Sequence, residues 1–277
     1  MSTSRKRGLF VSPLWLALLA WAHCSAQEVT LAGSVRYLHN GLLADSNAQA
    51  VVLLTGVTVK AWGVRMSVNV PVISQETRWM VATGSGAFPS PFTIRSRSMR
   101  HRDTGSGRPT SSQPGWTTGP GDPVFTVGGN DRVDDNLTTG ATLSVKAPVA
   151  SVTDGMSTGE WDFGAALSIS QRFGSLLVGT EVSYWILGDP VDFVMLDPIS
   201  LELMVGYRGF DSPLGLYATG SLSSAVVQDA GASGNIAGAL LLFPTDAMSL
   251  SAGISVGLTK AAVETSFSLG WNIVLAR

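Results

Sequence analysis

The chain has 277 residues, and ionisable side chains make up 14% of it, against about 25% in ordinary soluble domains. The net charge of −2 argues against a basic nucleic-acid-binding protein, so we expect no nucleic-acid partner. The apolar fraction of 45% excludes a wholly disordered chain.

Residues 1–26 have the order of a secretory signal peptide. Arg5, Lys6 and Arg7 precede an uncharged run at 8–22, which is shorter than the about 20 residues that a membrane-spanning helix needs. Cys24-Ser25-Ala26 supplies small residues for cleavage, so we predict a mature chain that begins at Gln27. An uncleaved membrane anchor is the alternative. Cys24 is the only cysteine, so the mature chain is predicted to have no disulfide and no thiolate metal site.

Residues 27–277 show a two-residue alternation of apolar and small polar side chains, which is typical of half-buried β-strands. The pattern is clear at 64–72, 161–172, 248–258 and 263–273. Weaker candidates lie at 29–38, 50–62, 139–148, 175–187, 200–209, 213–223 and 234–243. Turn sequences such as Asn40-Gly41 and Asp154-Gly155 separate these segments.

The polar faces of these segments carry mainly Gly, Ser and Thr, where a soluble β-sandwich would place more charges. Apolar residues that face lipid and small polar residues that line a lumen are what a membrane barrel requires. We therefore predict an all-β fold, a closed antiparallel transmembrane β-barrel in the bacterial outer membrane. A secreted or periplasmic β-sandwich is the alternative. The predicted lumen-lining charged residues are Arg65, Lys146, Asp162, Arg172, Glu181, Glu202, Arg208 and Glu264, and we expect these acids and bases to pair.

The sequence contains eleven candidate strand segments, and bacterial barrels close with even numbers of strands. We predict twelve strands, with ten as the alternative. The twelfth strand is expected near 78–83 or 125–127.

The alternation fades between Gly84 and Asn136, where we predict a long external loop or a plug. This stretch contains a group of arginines that could contact anions at the mouth or the phosphates of lipopolysaccharide; a solvated loop is the alternative. These arginines are Arg95, Arg97, Arg100, Arg102 and Arg108. The Asn and Asp residues at 130–136 are explained by turn chemistry, and no metal site is predicted there.

Residues 143–190 resemble the family of outer-membrane proteins named for the meta-pathway of phenol degradation. The matching elements are Val145-Lys146-Ala147-Pro148, Ser157-Thr158-Gly159 with Asp162 and Gly164, Ser170 to Gly174, and Tyr184 to Asp189. The resemblance implies a transporter-like barrel that passes or binds small, often hydrophobic or aromatic compounds. It brings no catalytic residue.

Three functions therefore stay open from the sequence. The first is a passive transporter or channel for small hydrophobic or aromatic compounds. The alternatives are a non-conducting structural or adhesive barrel and a secreted β-sandwich binding protein. His39 and His101 have no nucleophile spaced to pair with them, so we predict no enzyme activity, no catalytic residue and no cofactor. The expected partners are the lipid bilayer, lipopolysaccharide and the barrel-assembly machinery.

Overall fold

The computed structural model describes residues 28–41, 49–76, 80–83, 86–89, 115–190, 194–209, 211–228 and 230–276. The predicted signal peptide and the loop arginines lie outside these residues and stay predictions. The strands are β1 (Glu28–Gly41), β2 (Gln49–Ala61), β3 (Val64–Glu76), β4 (Met80–Thr83), β5 (Gly86–Pro89), β6 (Trp116–Pro120), β7 (Val124–Arg132), β8 (Leu137–Lys146), β9 (Asp162–Phe173), β10 (Leu176–Ile186), β11 (Ile199–Arg208), β12 (Leu214–Ser223), β13 (Ser233–Thr245), β14 (Met248–Gly257) and β15 (Val263–Ala276). No helix among the described residues is long and apolar enough to cross a membrane.

The main sheet closes on itself. Strand β1 pairs with both β2 and β15, β2 pairs with β3, and antiparallel pairing continues from β3 through β6 and β7 to β15. Strands β6 and β7 share one wall position, because both pair with β3. Among the described residues, closure gives β1 to β3 and β7 to β15 a partner strand on both sides, as lipid requires, and β6 pairs with β3 alone. The prediction of a closed antiparallel barrel with twelve wall strands is confirmed, and the ten-stranded alternative is wrong.

A β-bulge joins β6 to β7. Pro120 pairs with Val72 and Val124 pairs with Asn69, so one extra residue is accommodated on the β6–β7 side. The ladder continues through the bulge, because the Gly121 amide donates to the Pro71 carbonyl at 2.8 Å. The bulge turns Asp122 into a position where its side chain is 2% exposed.

The predicted long loop at 84–136 is shorter in the structure, because strands β6 and β7 occupy part of it. The segment 84–136 was predicted to be a long loop or plug, with 125–127 as one of two places for the twelfth strand, and the structure places both β6 and β7 within it. Of the two places expected for the twelfth strand, 125–127 is confirmed and 78–83 is wrong, because β4 pairs with β5 in a separate two-stranded sheet. Gly and Pro residues around the bulge hide the two-residue period.

The two ends of the barrel differ in the length of their connections. Short turns at 62–63, 133–136, 174–175, 209–213 and 246–247 join the strands at one end, where β1 begins and β15 finishes. We call this the turn end, and the opposite end, with the connections 147–161, 187–198 and 224–232, the loop end. The hairpin at Trp62-Gly63 has φ of 51° and 78°, the positive values that a type I′ turn needs.

The outer and inner faces of the wall have opposite chemistry. Outward-facing positions carry exposed apolar side chains, such as Leu167 at 69% and Leu269 at 63%. Inward-facing positions carry hydroxyl groups that bond across strands, as in the Ser255–Ser266 pair at 2.6 Å and the Ser200–Ser223 pair at 2.9 Å. The outer face thus suits lipid, and the inner face suits water.

A charge on the outer face should destabilise the barrel far more than the same charge on the inner face. Leu167 lies halfway along β9 and faces outward, whereas its neighbour Ser168 faces inward. We expect Leu167→Lys to lower the free energy of unfolding by about 2–4 kcal/mol, because an ammonium group at the bilayer centre loses its hydration. Denaturant unfolding in lipid vesicles measures this, with Ser168→Lys as the matched control. Equal losses in the two variants would contradict the assignment of faces.

Candidate functional site in the barrel lumen

The lumen holds a cavity of about 720 Å³. Its wall comes from β1 and from β8 to β15, and most of its lining residues are Ser, Thr, Gly or Ala. Three charged residues also line it, namely Arg36, Glu181 and Glu202. Glu181 and Glu202 are direct register partners on β10 and β11, whereas Arg36 lies on β1, six places round the ring from β10. The cavity therefore has an acidic wall opposite a basic residue.

The other predicted lumen charges lie toward the two ends of the barrel. Arg65 and Arg172 occupy inward-facing register positions near the turn end. Arg208 lies there too, with its guanidinium group 4.1 Å from the centre of the Phe243 ring and its Nε donating to the Ser212 carbonyl at 3.1 Å. Arg208 and Phe243 line a second cavity of about 430 Å³. Glu264 is the second residue of β15, at the loop end, and is exposed.

Lys146 and Asp162 meet at the loop end in a buried charged cluster. The Lys146 Nζ lies 3.1 Å from Asp162 Oδ2 and 3.2 Å from Asp122 Oδ2, and it donates to Thr158 Oγ1 at 2.8 Å. Lys146 is 1% exposed and the two carboxylates are at most 2% exposed. One ammonium group with three donors thus meets three oxygen atoms, as a buried cation requires. We call Asp122, Lys146, Thr158 and Asp162 the Lys146 cluster.

The Asp122 carboxylate of this cluster also accepts hydrogen bonds from the loop 147–161. The Asp122 Oδ1 accepts hydrogen bonds from the amides of Val149 and Ala150, both at 2.9 Å. The Ser157 hydroxyl donates to Asp122 Oδ2 at 2.5 Å. Gln75 of β3 adds a buried bond from its Nε2 to the Gly155 carbonyl at 3.1 Å. These contacts hold the loop against the inside of the barrel.

The loop 147–161 places Met156 inside the mouth. Met156 is 1% exposed and packs against Leu38 of β1, Ala50 of β2 and Ile73 of β3. Strand β1 lies four places round the ring from β8, where this loop begins. The loop therefore leans across the interior, rather than extending away from the barrel. We call these four residues the Met156 cluster.

A second apolar group fills another part of the loop end. Trp185 packs with Leu187, Met195, Val226 and Val227, and with Val124 on β7. Val226 and Val227 follow β12, which lies five places round the ring from β7, so the 224–232 connection also turns inward. The Leu196 amide donates to the Val226 carbonyl at 2.7 Å and joins it to the 187–198 connection. We call these six residues the Trp185 cluster.

Only part of this arrangement could be predicted from the sequence. Lys146, Asp162 and Thr158 all belong to the segment that carries the family resemblance, and the structure brings them together. Asp122 was missed, because it lies in a Gly-Pro-Gly-Asp-Pro stretch without strand periodicity. The inward course of the loop 147–161 was also missed. The sequence does not distinguish Met156, which is buried, from Val149, Val152 and Trp161 of the same loop, which are exposed.

Solved structures of outer-membrane proteins share this fold. An outer membrane channel from Pseudomonas putida F1 aligns with a TM-score of 0.64 and 14% identity, covering 90% of this chain and 96% of that chain. The NanC porin gives 0.53 and 14%, with coverage of 88% and 98%. The KdgM porin gives 0.50 and 8%, also with coverage of 88% and 98%. The fold is thus that of bacterial outer-membrane barrels, in which short turns face the periplasm.

No protein-family model and no curated protein matches the chain. The resemblance to the phenol-degradation family therefore stays a prediction.

The Trp185 ring depends on the absence of a side chain at Gly164. The two residues are register partners, and a Cβ atom on Gly164 would lie 2.6 Å from Trp185 Cε2. We expect Gly164→Ala to displace the ring and to lower the free energy of unfolding by about 1–3 kcal/mol, as overpacking does. Gly220→Ala is the matched control, since its Cβ would meet no atom within 4 Å. Denaturant unfolding, followed by tryptophan fluorescence, measures both; an undisturbed Gly164→Ala barrel would contradict this packing.

Proposed function

We propose that the protein is a passive outer-membrane channel for small solutes. The observation that carries this proposal is the cavity of about 720 Å³ inside a closed barrel, with a hydroxyl-rich wall that suits water. A solute in such a cavity is shielded from lipid by the wall. Movement along the lumen requires no chemical step.

We further propose small hydrophobic or aromatic compounds as the solutes. The support lies in the lining of the cavity, where Leu38, Trp185 and Tyr217 add apolar and aromatic side chains to the polar wall. An apolar solute gains contact there by displacing water from apolar surface. The resemblance of residues 143–190 to a family linked with phenol degradation favours the same class.

A non-conducting structural barrel is the second candidate. One observation favours it, which is that inward-folded connections bury Met156 and tie it to three strands of the wall. A barrel that is filled in this way would gain stability from its loops and would pass no solute.

Reconstituted vesicles separate the two candidates. We expect the purified barrel to accelerate the release of entrapped phenol and benzoate over protein-free vesicles, and to release a trisaccharide much more slowly. A barrel that migrates differently before and after heating in detergent, and therefore is folded, but that accelerates none of these solutes would overturn the channel proposal. Release of sugars as fast as phenol would overturn the proposed solute class alone.

The acidic wall of the cavity should affect ion selectivity. Removing one charge by Glu181→Gln is expected to shift the reversal potential in a KCl gradient toward anions, because a fixed lumen carboxylate attracts cations. Asp131→Asn is the matched control, since Asp131 occupies an outward-facing register position near the turn end and does not line the cavity. Planar-bilayer recording measures both. An identical reversal potential in the wild type and Glu181→Gln would place this wall off the ion path.

A further inference from the structure

We infer that Lys146 is a positioning residue, which holds Met156 in the mouth and thereby sets the largest solute that can pass. The inference rests on the proposed channel function and names the residue that controls its size limit. It is carried by the Lys146 cluster and the Met156 cluster, since Thr158 of the first and Met156 of the second belong to the same connection between β8 and β9.

The Lys146 cluster joins the wall to the loop. Lys146 is the last residue of β8, Asp162 is the first residue of β9, and Asp122 lies in the bulge between β6 and β7. The ammonium group bridges these wall carboxylates and also donates to Thr158, which belongs to the loop. Asp122 in turn accepts the Ser157 hydroxyl. Lys146 thus neutralises the carboxylate on which the loop is fastened.

Met156 immediately precedes the two fastened hydroxyl residues. Ser157 and Thr158 are 3% and 4% exposed, so their side chains have little freedom while the cluster is intact. Fixing these two positions limits where Met156 can lie, because adjacent Cα atoms are 3.8 Å apart. The apolar contacts with Leu38, Ala50 and Ile73 then place its side chain in the interior.

Loss of the Lys146 ammonium group should release the loop 147–161, and Met156 with it, from the inside of the barrel. Without Lys146, Asp122 and Asp162 would lose the cation that bridges them in a buried site, which is a costly state that water entry relieves. Water reaches the cluster when the loop 147–161 lifts. Met156 then leaves the mouth, and larger solutes can enter the cavity below.

The direct test measures the position of Met156 by chemical labelling, independently of transport. Cys24 is the only cysteine of the chain and lies in the predicted leader, so Met156→Cys provides a single target in the barrel. Its thiol should react slowly with a water-soluble maleimide in the parent, since Met156 is 1% exposed. Adding Lys146→Met is expected to raise the labelling rate about tenfold, which corresponds to about 1.4 kcal/mol in holding the loop closed.

The matched control removes a hydroxyl at the same end of the barrel without touching the loop. Thr118 bonds to Ser74 at 2.7 Å in an exposed pair, so Thr118→Val should leave the labelling rate of Met156→Cys unchanged. Thr158→Val removes the hydrogen bonds that the Thr158 hydroxyl oxygen accepts from Lys146 and from the Glu160 amide, but keeps all three charges. It should raise the rate by less than Lys146→Met does. If Lys146→Met yields no heat-modifiable barrel, Thr158→Val decides the same question.

The size limit is read from vesicle release of solutes of increasing size, with Met156 restored. We expect Lys146→Met, and independently Met156→Ala, to raise trisaccharide release relative to phenol release. A labelling rate in folded Lys146→Met that equals the parent's would overturn the positioning role, even if the wild type conducts. A higher labelling rate with no release in any variant would support the positioning role and overturn the channel function.

Discussion

The structure depends on one constraint, which is that lipid offers no hydrogen bond to a peptide group. Every amide and carbonyl of a membrane-spanning strand must therefore pair with a neighbouring strand, and a sheet can meet this demand only by closing. Closure of β1 on β15 completes the ring. The same demand is met at the bulge between β6 and β7. Although the register shifts there, the Gly121 amide still donates to the Pro71 carbonyl of β3.

Closure also determines which positions of the barrel can hold charged side chains. The outer face must be apolar, so charged groups that the chain retains at strand positions lie inward or toward the ends. In the wet cavity Glu181 and Glu202 can lie side by side, because water screens like charges that would repel one another in a dry core. At the loop end, water is excluded by the inward connections. There Lys146 contacts two carboxylates and donates to the Thr158 hydroxyl oxygen, while the amides of the loop 147–161 donate to Asp122.

The parts of the fold that depend on local alternation could be predicted from the sequence. Strands such as β9 and β14 reveal their two faces residue by residue, because one solvent selects each face. The β6–β7 strand could be predicted only in part, as a twelfth strand near 125–127 or 78–83, since Gly and Pro interrupt its period and its partner β3 is distant in sequence. Asp122 could not be predicted as a member of the Lys146 cluster for the same reason. Its role comes from Lys146 and Ser157, which reach it only when the barrel is closed.

The wall and the mouth therefore differ in how specific their side-chain contacts are. A ring of small hydroxyl residues makes a wet cavity with little preference among small solutes, because water and many polar groups can satisfy it equally. The connections at the loop end are specific, since Met156 and Trp185 each occupy a defined place against named strands. Discrimination by a barrel of this kind has to arise where apolar side chains narrow a polar passage. In this chain the loop end has such apolar side chains, and Lys146 joins β8 to the loop 147–161 there through Thr158.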